Sequence, residues 1–122
     1  GEVDVKRSRE NIVDVDRIKS SSDKYKNRFL DKIFSKNEQS YCNSKYNSHM
    51  HYAGKFAAKE AVMKSLYSSG EKKNISFNSI NILNDENGIP EVFIKGFKKK
   101  NIKISISHTN YQAVAFAILN ND

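Results

Sequence analysis

The sequence holds one cysteine, one proline, five glycines and no tryptophan in 122 residues. A single thiol, Cys42, excludes an intramolecular disulfide and a cysteine-rich metal site, and it points to a reducing compartment. With Pro90 alone and so little glycine, collagen-like and proline-rich linker classes drop out. Lysine supplies most of the positive charge. Arginine, the usual planar reader of phosphates and base edges, is scarce, which argues against sequence-specific DNA recognition. No apolar run approaches the roughly 18 residues of a membrane span. No signal-peptide-like apolar stretch stands near the start, and no membrane partner is expected.

What is present suits one folded domain. Hydrophobic residues make up 38%, with seven phenylalanines and six tyrosines, so a wholly disordered chain is excluded. Folding at this length buries roughly two-thirds of the unfolded chain's surface. The net charge of +7 and a pI near 9.5 call for an anionic partner: nucleic acid, an acidic protein or a phosphorylated small molecule. The heavy use of lysine, asparagine and serine is also what codon bias in an AT-rich genome produces.

Residues 1–10 mix charges without periodicity and read as a flexible arm or an expression scar, leaving one domain over 11–122. Order is expected to begin near Ile12. The apolar residues Ile12, Val13, Val15 and Ile18 predict a short strand running into a turn. Ser20 to Asp23 offer cap oxygens for a helix carrying Tyr25, Phe29, Ile33 and Phe34. Ser35 to Glu38 is a capping box, and residues 40–50 read as a loop or broken helix. The strongest helix lies over 51–67, with a small-residue ridge at Ala57, Ala61 and Ser65; residues 68–74 end it and form an exposed loop.

From Ile75 the period becomes two. Ile80 and Ile82 predict a strand, residues 84–88 a turn with Asn87-Gly88 suited to positive φ, and Pro90 the start of a return strand. Lys98 to Asn101 is an exposed turn. Ile102, Ile104 and Ile106 alternate strictly, and Ala113 to Leu119 reads as a buried strand. The fold class is therefore α+β: an antiparallel sheet packed with one long and one or two shorter helices.

Three segments carry candidate chemistry: Asn11 to Ile18, Gly54 to Ala61, and Ser105 to Thr109. Glu60 and Lys64, four apart, have the spacing of an ordinary ion pair. Equally, Glu60 on an alanine-rich helix is a candidate ligand for a hard cation, with lysines gathering phosphate oxygens. His108 ends a strand, and His49 and His51 lie far from it in sequence, so a zinc site has no support. No P-loop or G-x-G-x-x-G is present.

Taken together, Asn11 to Ile18, Gly54-Lys55-Phe56-Ala57-Ala58-Lys59-Glu60-Ala61, the Asn84 to Pro90 hairpin and Ser105-Ile106-Ser107-His108-Thr109 resemble the holo-acyl-carrier-protein synthases, the small 4′-phosphopantetheinyl transferases. Order and spacing agree over about residues 11 to 119. The resemblance implies an α+β homotrimer with active sites between subunits. It implies transfer of 4′-phosphopantetheine from coenzyme A to a serine of apo-acyl carrier protein, with Mg²⁺, in fatty acid biosynthesis. Adenosine 3′,5′-bisphosphate would be released. On this resemblance Glu60, Lys64 and His108 are catalytic, Glu60 and Asn11 hold the metal, and Lys55, Phe56, Lys59, Lys64, Gly88, Pro90, His108 and Thr109 bind coenzyme A. Arg17, Lys24, Arg28 and Lys32 would dock the acidic carrier protein. The serine proton would pass to a metal-bound water or a nearby carboxylate.

Departures from the pattern are specific. Asn11 stands where the family places its metal aspartate; Asp4 would serve only with a seven-residue insertion before Asp14, which itself takes the neighbouring acidic position. Lys55 replaces an arginine, and Tyr67-Ser68-Ser69 replaces Gly-Thr-Gly. The competing readings are a small basic nucleic-acid-binding module and a degenerate synthase that keeps nucleotide binding without turnover. A synthase has no nucleic-acid partner, and its setting would be a bacterial cytoplasm or the plastid stroma of an apicomplexan-type parasite.

Overall fold

The computed structural model describes residues 6–25, 27–68 and 75–120. A three-stranded antiparallel sheet runs in the order β1 (Lys6–Asp14), β6 (Gln112–Asn120), β5 (Ile102–His108). Across it lies the long helix α4 (Ser48–Ser68). Alanine makes this packing close: Ala53, Ala57 and Ala61 on the helix and Ala113, Ala115 and Ala117 on β6 are fully buried. Small side chains on both layers let the backbones approach, and Val62, Leu66 and Leu119 fill the remaining depth.

A second sheet, β2 (Ile80–Asn84), β3 (Pro90–Ile94) and β4 (Phe97–Lys98), is a meander. Its first turn follows the sequence closely. Asp85 Oδ1 accepts the N–H groups of Asn87 and Ile89, and Gly88 takes φ 83°. Pro90 opens β3, where its missing N–H does least harm. The predicted single sheet is thus two, and a 3₁₀ turn at Phe77–Ser79 precedes the second.

Three short helices stand between β1 and α4: α1 (Val15–Tyr25), α2 (Asn27–Ile33) and α3 (Lys36–Asn43). The capping box of α3 is formed, with Ser35 Oγ accepting from Glu38 N and Glu38 Oε1 accepting from Ser35 N.

Several expectations are corrected. Strand β1 begins at Lys6, so residues 6–10 are strand paired with β6 rather than arm. The strand ends at Asp14, not Ile18. Val15 and Ile18, three apart, turn one buried face of α1 inward, and Ser20 to Asp23 lie within that helix instead of capping one. Residues 40–50 follow the broken-helix reading, with the end of α3, a turn over 44–47 and the start of α4. Strand β6 is buried on one face only. On the other, Phe116 and Ile118 are 43% and 39% exposed, beside Ile12 of β1 at 56%. Asp4 and the predicted loop over 69–74 lie outside the described residues.

Candidate active site

A cavity of about 310 Å³ opens between α4, the β2–β3 hairpin and β5, and Lys55, Gly88, Pro90 and His108 all line it. Lys55 is almost wholly buried. Its Nζ donates to Ile82 O at 2.5 Å and to Asn84 Oδ1 at 2.9 Å, and it stands 4.6 Å over the Tyr41 ring. Burial pushes its ammonium below the usual lysine range. Asn84 in turn donates to Gly88 O at 3.1 Å, tying Lys55 to the hairpin tip.

His108 leaves the end of β5 toward α4. Its ring meets that of His51 edge-on, with centroids 5.0 Å apart. Gly54 makes the approach possible: a Cβ there would lie 3.0 Å from Ile106 Cγ2 and 3.4 Å from His108 Cδ2. His51 was missed from sequence, where its distance from His108 hid the pairing; its position three residues before Gly54, on the same helix face, was the available signal. Burial, then the neighbouring His108 and nearby lysines, lower its proton affinity.

A second cluster joins β1 to α4. Asn11 Nδ2 donates to Glu60 Oε1, and Lys64 Nζ donates to Asn11 Oδ1 at 2.8 Å. Glu60 and Lys64 are therefore linked through Asn11, not as the simple helical ion pair their spacing allows. The donor set suits a hard divalent cation: one carboxylate and one amide oxygen, with no sulfur or imidazole. Among the described residues no three His, Cys, Asp or Glu side chains converge on a metal, so a cation here would draw its other oxygens from water and substrate.

Three predicted contacts belong to neither cluster. Lys59 is fully buried, and its Nζ meets Glu38 Oε1 at 2.6 Å, Ile33 O at 2.6 Å and Phe77 O at 2.9 Å. With three acceptors around it, this ammonium has no proton left for a phosphate. Phe56 packs edge-on against Phe77. Thr109 Oγ1 accepts from the N–H groups of Tyr111 and Gln112 and closes the turn between β5 and β6. The basic residues Arg17 and Lys24 are exposed on α1, and Arg28 and Lys32 on α2, where the last two border a groove with Tyr25 and Phe29.

The two clusters lie apart within one chain. His51 and Glu60 are nine residues apart on α4, which places them roughly 180° apart around its axis. Asn11 and Ile106 flank Ala115 from opposite sides, so the β1 and β5 edges stand roughly 10 Å apart.

The sequence matches the 4′-phosphopantetheinyl transferase superfamily over residues 12–118. The holo-[acyl-carrier-protein] synthase of Protochlamydia amoebophila is 44% identical over 112 residues, covering 88% of this chain and 91% of that protein. That of Thermodesulfovibrio yellowstonii is 44% identical over 108 residues, covering 88% and 92%. The Bacillus anthracis holo-(acyl-carrier-protein) synthase, solved in complex with CoA (3′,5′-ADP), superposes with a TM-score of 0.78 at 27% identity, over 98% of this chain and 100% of that one. The Helicobacter pylori synthase, solved in complex with coenzyme A, gives 0.76 at 27% identity, over 94% and 100%. This chain belongs to the 4′-phosphopantetheinyl transferase superfamily, among its holo-acyl-carrier-protein synthases.

Proposed function

We propose that this chain transfers the 4′-phosphopantetheine group of coenzyme A to a serine of an apo-acyl carrier protein, with Mg²⁺, and releases adenosine 3′,5′-bisphosphate. The observation that carries the reading is the division of the site into two halves on opposite faces of α4. One half, around Lys55, Gly88, Pro90 and His108, is a polar cavity of nucleotide dimensions. The other, Asn11–Glu60–Lys64, is the charge-bearing half. A second copy brings its own cavity to this cluster, so the working unit is an oligomer, a homotrimer on the family pattern. The exposed apolar patch of Ile12, Phe116 and Ile118 supplies a surface for such packing.

The serine oxygen attacks the phosphorus that carries pantetheine. A new P–O bond forms, the bond to the nucleotide's phosphate breaks, and the serine proton passes to a nearby carboxylate. In phosphoryl transfer of this kind the protein contributes mainly position and charge. Held by Glu60 and Asn11 Oδ1, Mg²⁺ would neutralise the pyrophosphate oxygens. Lys64 adds a mobile cation at the same cluster, and it is exposed enough to turn toward substrate. His108 faces the nucleotide phosphates, and the hairpin turn at Gly88 and Pro90 shelters the base. Arg17, Lys24, Arg28 and Lys32 steer the acidic carrier protein.

The test is mass spectrometry of an apo-carrier protein incubated with this chain, coenzyme A and Mg²⁺. A gain of the pantetheine arm supports the reading, and an unmodified carrier under conditions where the chain binds coenzyme A indicates the degenerate synthase instead.

A further inference from the structure

His51 has no part in the transfer as read above, yet it shares the cavity wall with His108. The two rings stand edge-on at 5.0 Å, and Tyr41 flanks His51 from the other side, edge-on at 5.9 Å. Both residues line the cavity, and among the described residues no hydrogen bond reaches either imidazole, which leaves their ring nitrogens unengaged. The groups facing His51 from each packed element are Tyr41 of α3, Lys45 of the turn after it, Lys55 of α4 and His108 of β5. Two are permanent cations, and none is an anion. Such a wall disfavours a charged imidazole when empty and favours one when a dianion enters.

We propose that His51 is a second imidazole contact, beside His108, for the phosphate monoester of the bound nucleotide, and that the pair lets this chain prefer coenzyme A over its form lacking the 3′-phosphate. The inference rests on the proposed function, since it names a subsite of that same cavity. A monoester is the fitting ligand because it carries close to two negative charges near neutral pH, whereas each pyrophosphate phosphorus carries one. Such a charge offsets the lysines that face His51 and favours the charged form of its ring. The Asn11–Glu60–Lys64 half is the site left for the pyrophosphate.

The geometry gives a pH dependence with a definite sign. Burial and the neighbouring cations lower the proton affinity of His51 in the free protein, and a dianion beside it would raise that affinity in the complex. Binding therefore takes up protons, and affinity falls as pH rises from about 6.5 to about 8. The phosphate's own second ionisation near pH 6 works the other way at the acid end. It acts equally on every variant, so comparison between variants isolates the imidazole.

Isothermal titration calorimetry on the full chain tests this with coenzyme A and its form lacking the 3′-phosphate, at about pH 6.5 and about pH 8, in two buffers of different ionisation enthalpy. The first carries one phosphate monoester and the second none. The wild type should bind coenzyme A more tightly, and the preference should shrink toward pH 8. His51→Phe should weaken coenzyme A by about tenfold at the lower pH, leave the form without the 3′-phosphate nearly unchanged and lower the proton uptake. His51→Gln keeps an N–H donor without a titrating ring. It should recover part of the affinity but none of the pH dependence that the imidazole supplies. If His51→Phe retains both the preference for coenzyme A and the proton uptake, His51 is not a contact, and a wild type that still modifies carrier protein would leave the proposed function standing. If the wild type binds neither ligand, both readings fall together.

Discussion

Asn11 on β1 donates its side-chain amide to the carboxylate of Glu60, 49 residues further along the chain. The same side chain accepts from the Lys64 ammonium at 2.8 Å. A neutral amide thus stands between a cation and an anion and satisfies both. An aspartate in its place would confront Glu60 with like charge, with only Lys64 or a bound cation to hold the two carboxylates together. Asparagine keeps the metal-free cluster paired and weakens its hold on a hard cation.

Asn11→Asp should therefore move two quantities in opposite directions. The Mg²⁺ concentration for half-maximal transfer should fall several-fold, because Mg²⁺ favours charged oxygens. In chelator, stability should drop by roughly 1 kcal/mol, with Mg²⁺ restoring it. Asn11→Ala should raise the Mg²⁺ requirement or stop turnover. Metal titration of the transfer assay and melting with and without chelator measure both. Should Asn11→Asp leave them untouched while Asp4→Asn abolishes transfer, the ligand is Asp4.

The buried Lys59–Glu38 pair calls for a stability prediction. Burial depresses the Lys59 ammonium, and the Glu38 carboxylate offsets part of that. Glu38 also caps α3 and accepts the Ile82 N–H at 2.7 Å, while Lys55 donates to the carbonyl of the same residue. Ile82 of β2 is therefore held through both its N–H and its carbonyl. Lys59→Met should lose about 3–5 kcal/mol in denaturant unfolding, because it strands a buried carboxylate. The double variant Lys59→Met, Glu38→Gln should recover part of that loss. Full stability in the single variant would mean that the N–H groups of Ser35 and Ile82 suffice to hold Glu38.

Cys42 gives the alkaline limb of stability. Burial, the largest cause, raises its thiol from 9.0 to about 12. The unfolded chain ionises first, so stability present below pH 9 is lost as pH climbs toward 12, at about 1.4 kcal/mol per unit for this group. Lys55 and Lys59, depressed below 10.5, act in the opposite sense. Urea unfolding of Cys42→Ala against wild type at about pH 8.5 and about pH 10.5 separates the thiol's share, and the variant's slope should be the shallower.

Electrostatic docking predicts a salt effect. Arg28 and Lys32 border an exposed groove on α2, with Arg17 and Lys24 on α1. Charges in such a setting are screened over about 8 Å at physiological ionic strength. Raising salt should raise KM for the carrier protein more than for coenzyme A. Arg28→Glu should raise the first several-fold and spare the second. An unchanged carrier-protein KM takes Arg28 out of the docking face.

Much of this was legible in the residues. The strands at Ile80–Ile82, Pro90–Ile94 and Ile102–Ile106, the turn at Gly88 and the Ser35–Glu38 box each carry a local physical signal, and each folds as read; the turn read over Lys98 to Asn101 does not begin as read, because Phe97 and Lys98 form β4 against β3. The failures share a cause: the deciding partner is remote in sequence. Val15 and Ile18 fit a strand's end or a helix equally until the core claims them. Lys59 looks like a phosphate ligand beside Glu60, and only Glu38, Ile33 and Phe77 reveal a structural cation. Ala113 to Leu119 reads as wholly buried because Phe116 and Ile118 are apolar, yet one chain covers only the alanine face. The opposition of His51 and Glu60 on α4 was present in their spacing and needed only the helical repeat to be seen.

That opposition yields the sharpest prediction, which concerns mixtures. If each active site takes Glu60 from one subunit and His108 from its neighbour, then homo-oligomers of Glu60→Gln and of His108→Ala should both be inactive. Co-assembled from equal amounts, the two variants should regain activity, since each chain supplies what the other lacks. An interface is complete only when the subunit giving Glu60 carries the His108 change and the subunit giving His108 carries the Glu60 change. Random assembly makes that so in roughly a quarter of interfaces, whatever the number of subunits in the ring. Purification through two different affinity tags after co-expression keeps only mixed rings, and every mixed trimer has one complete interface of its three, so transfer should run at roughly a third of the wild-type rate. Sedimentation should give three times the 14.0 kDa chain mass. If the site were complete within one chain, every subunit in the mixture would carry a defect in its own site and no activity would return. An active monomer would end the shared-site reading in the same way.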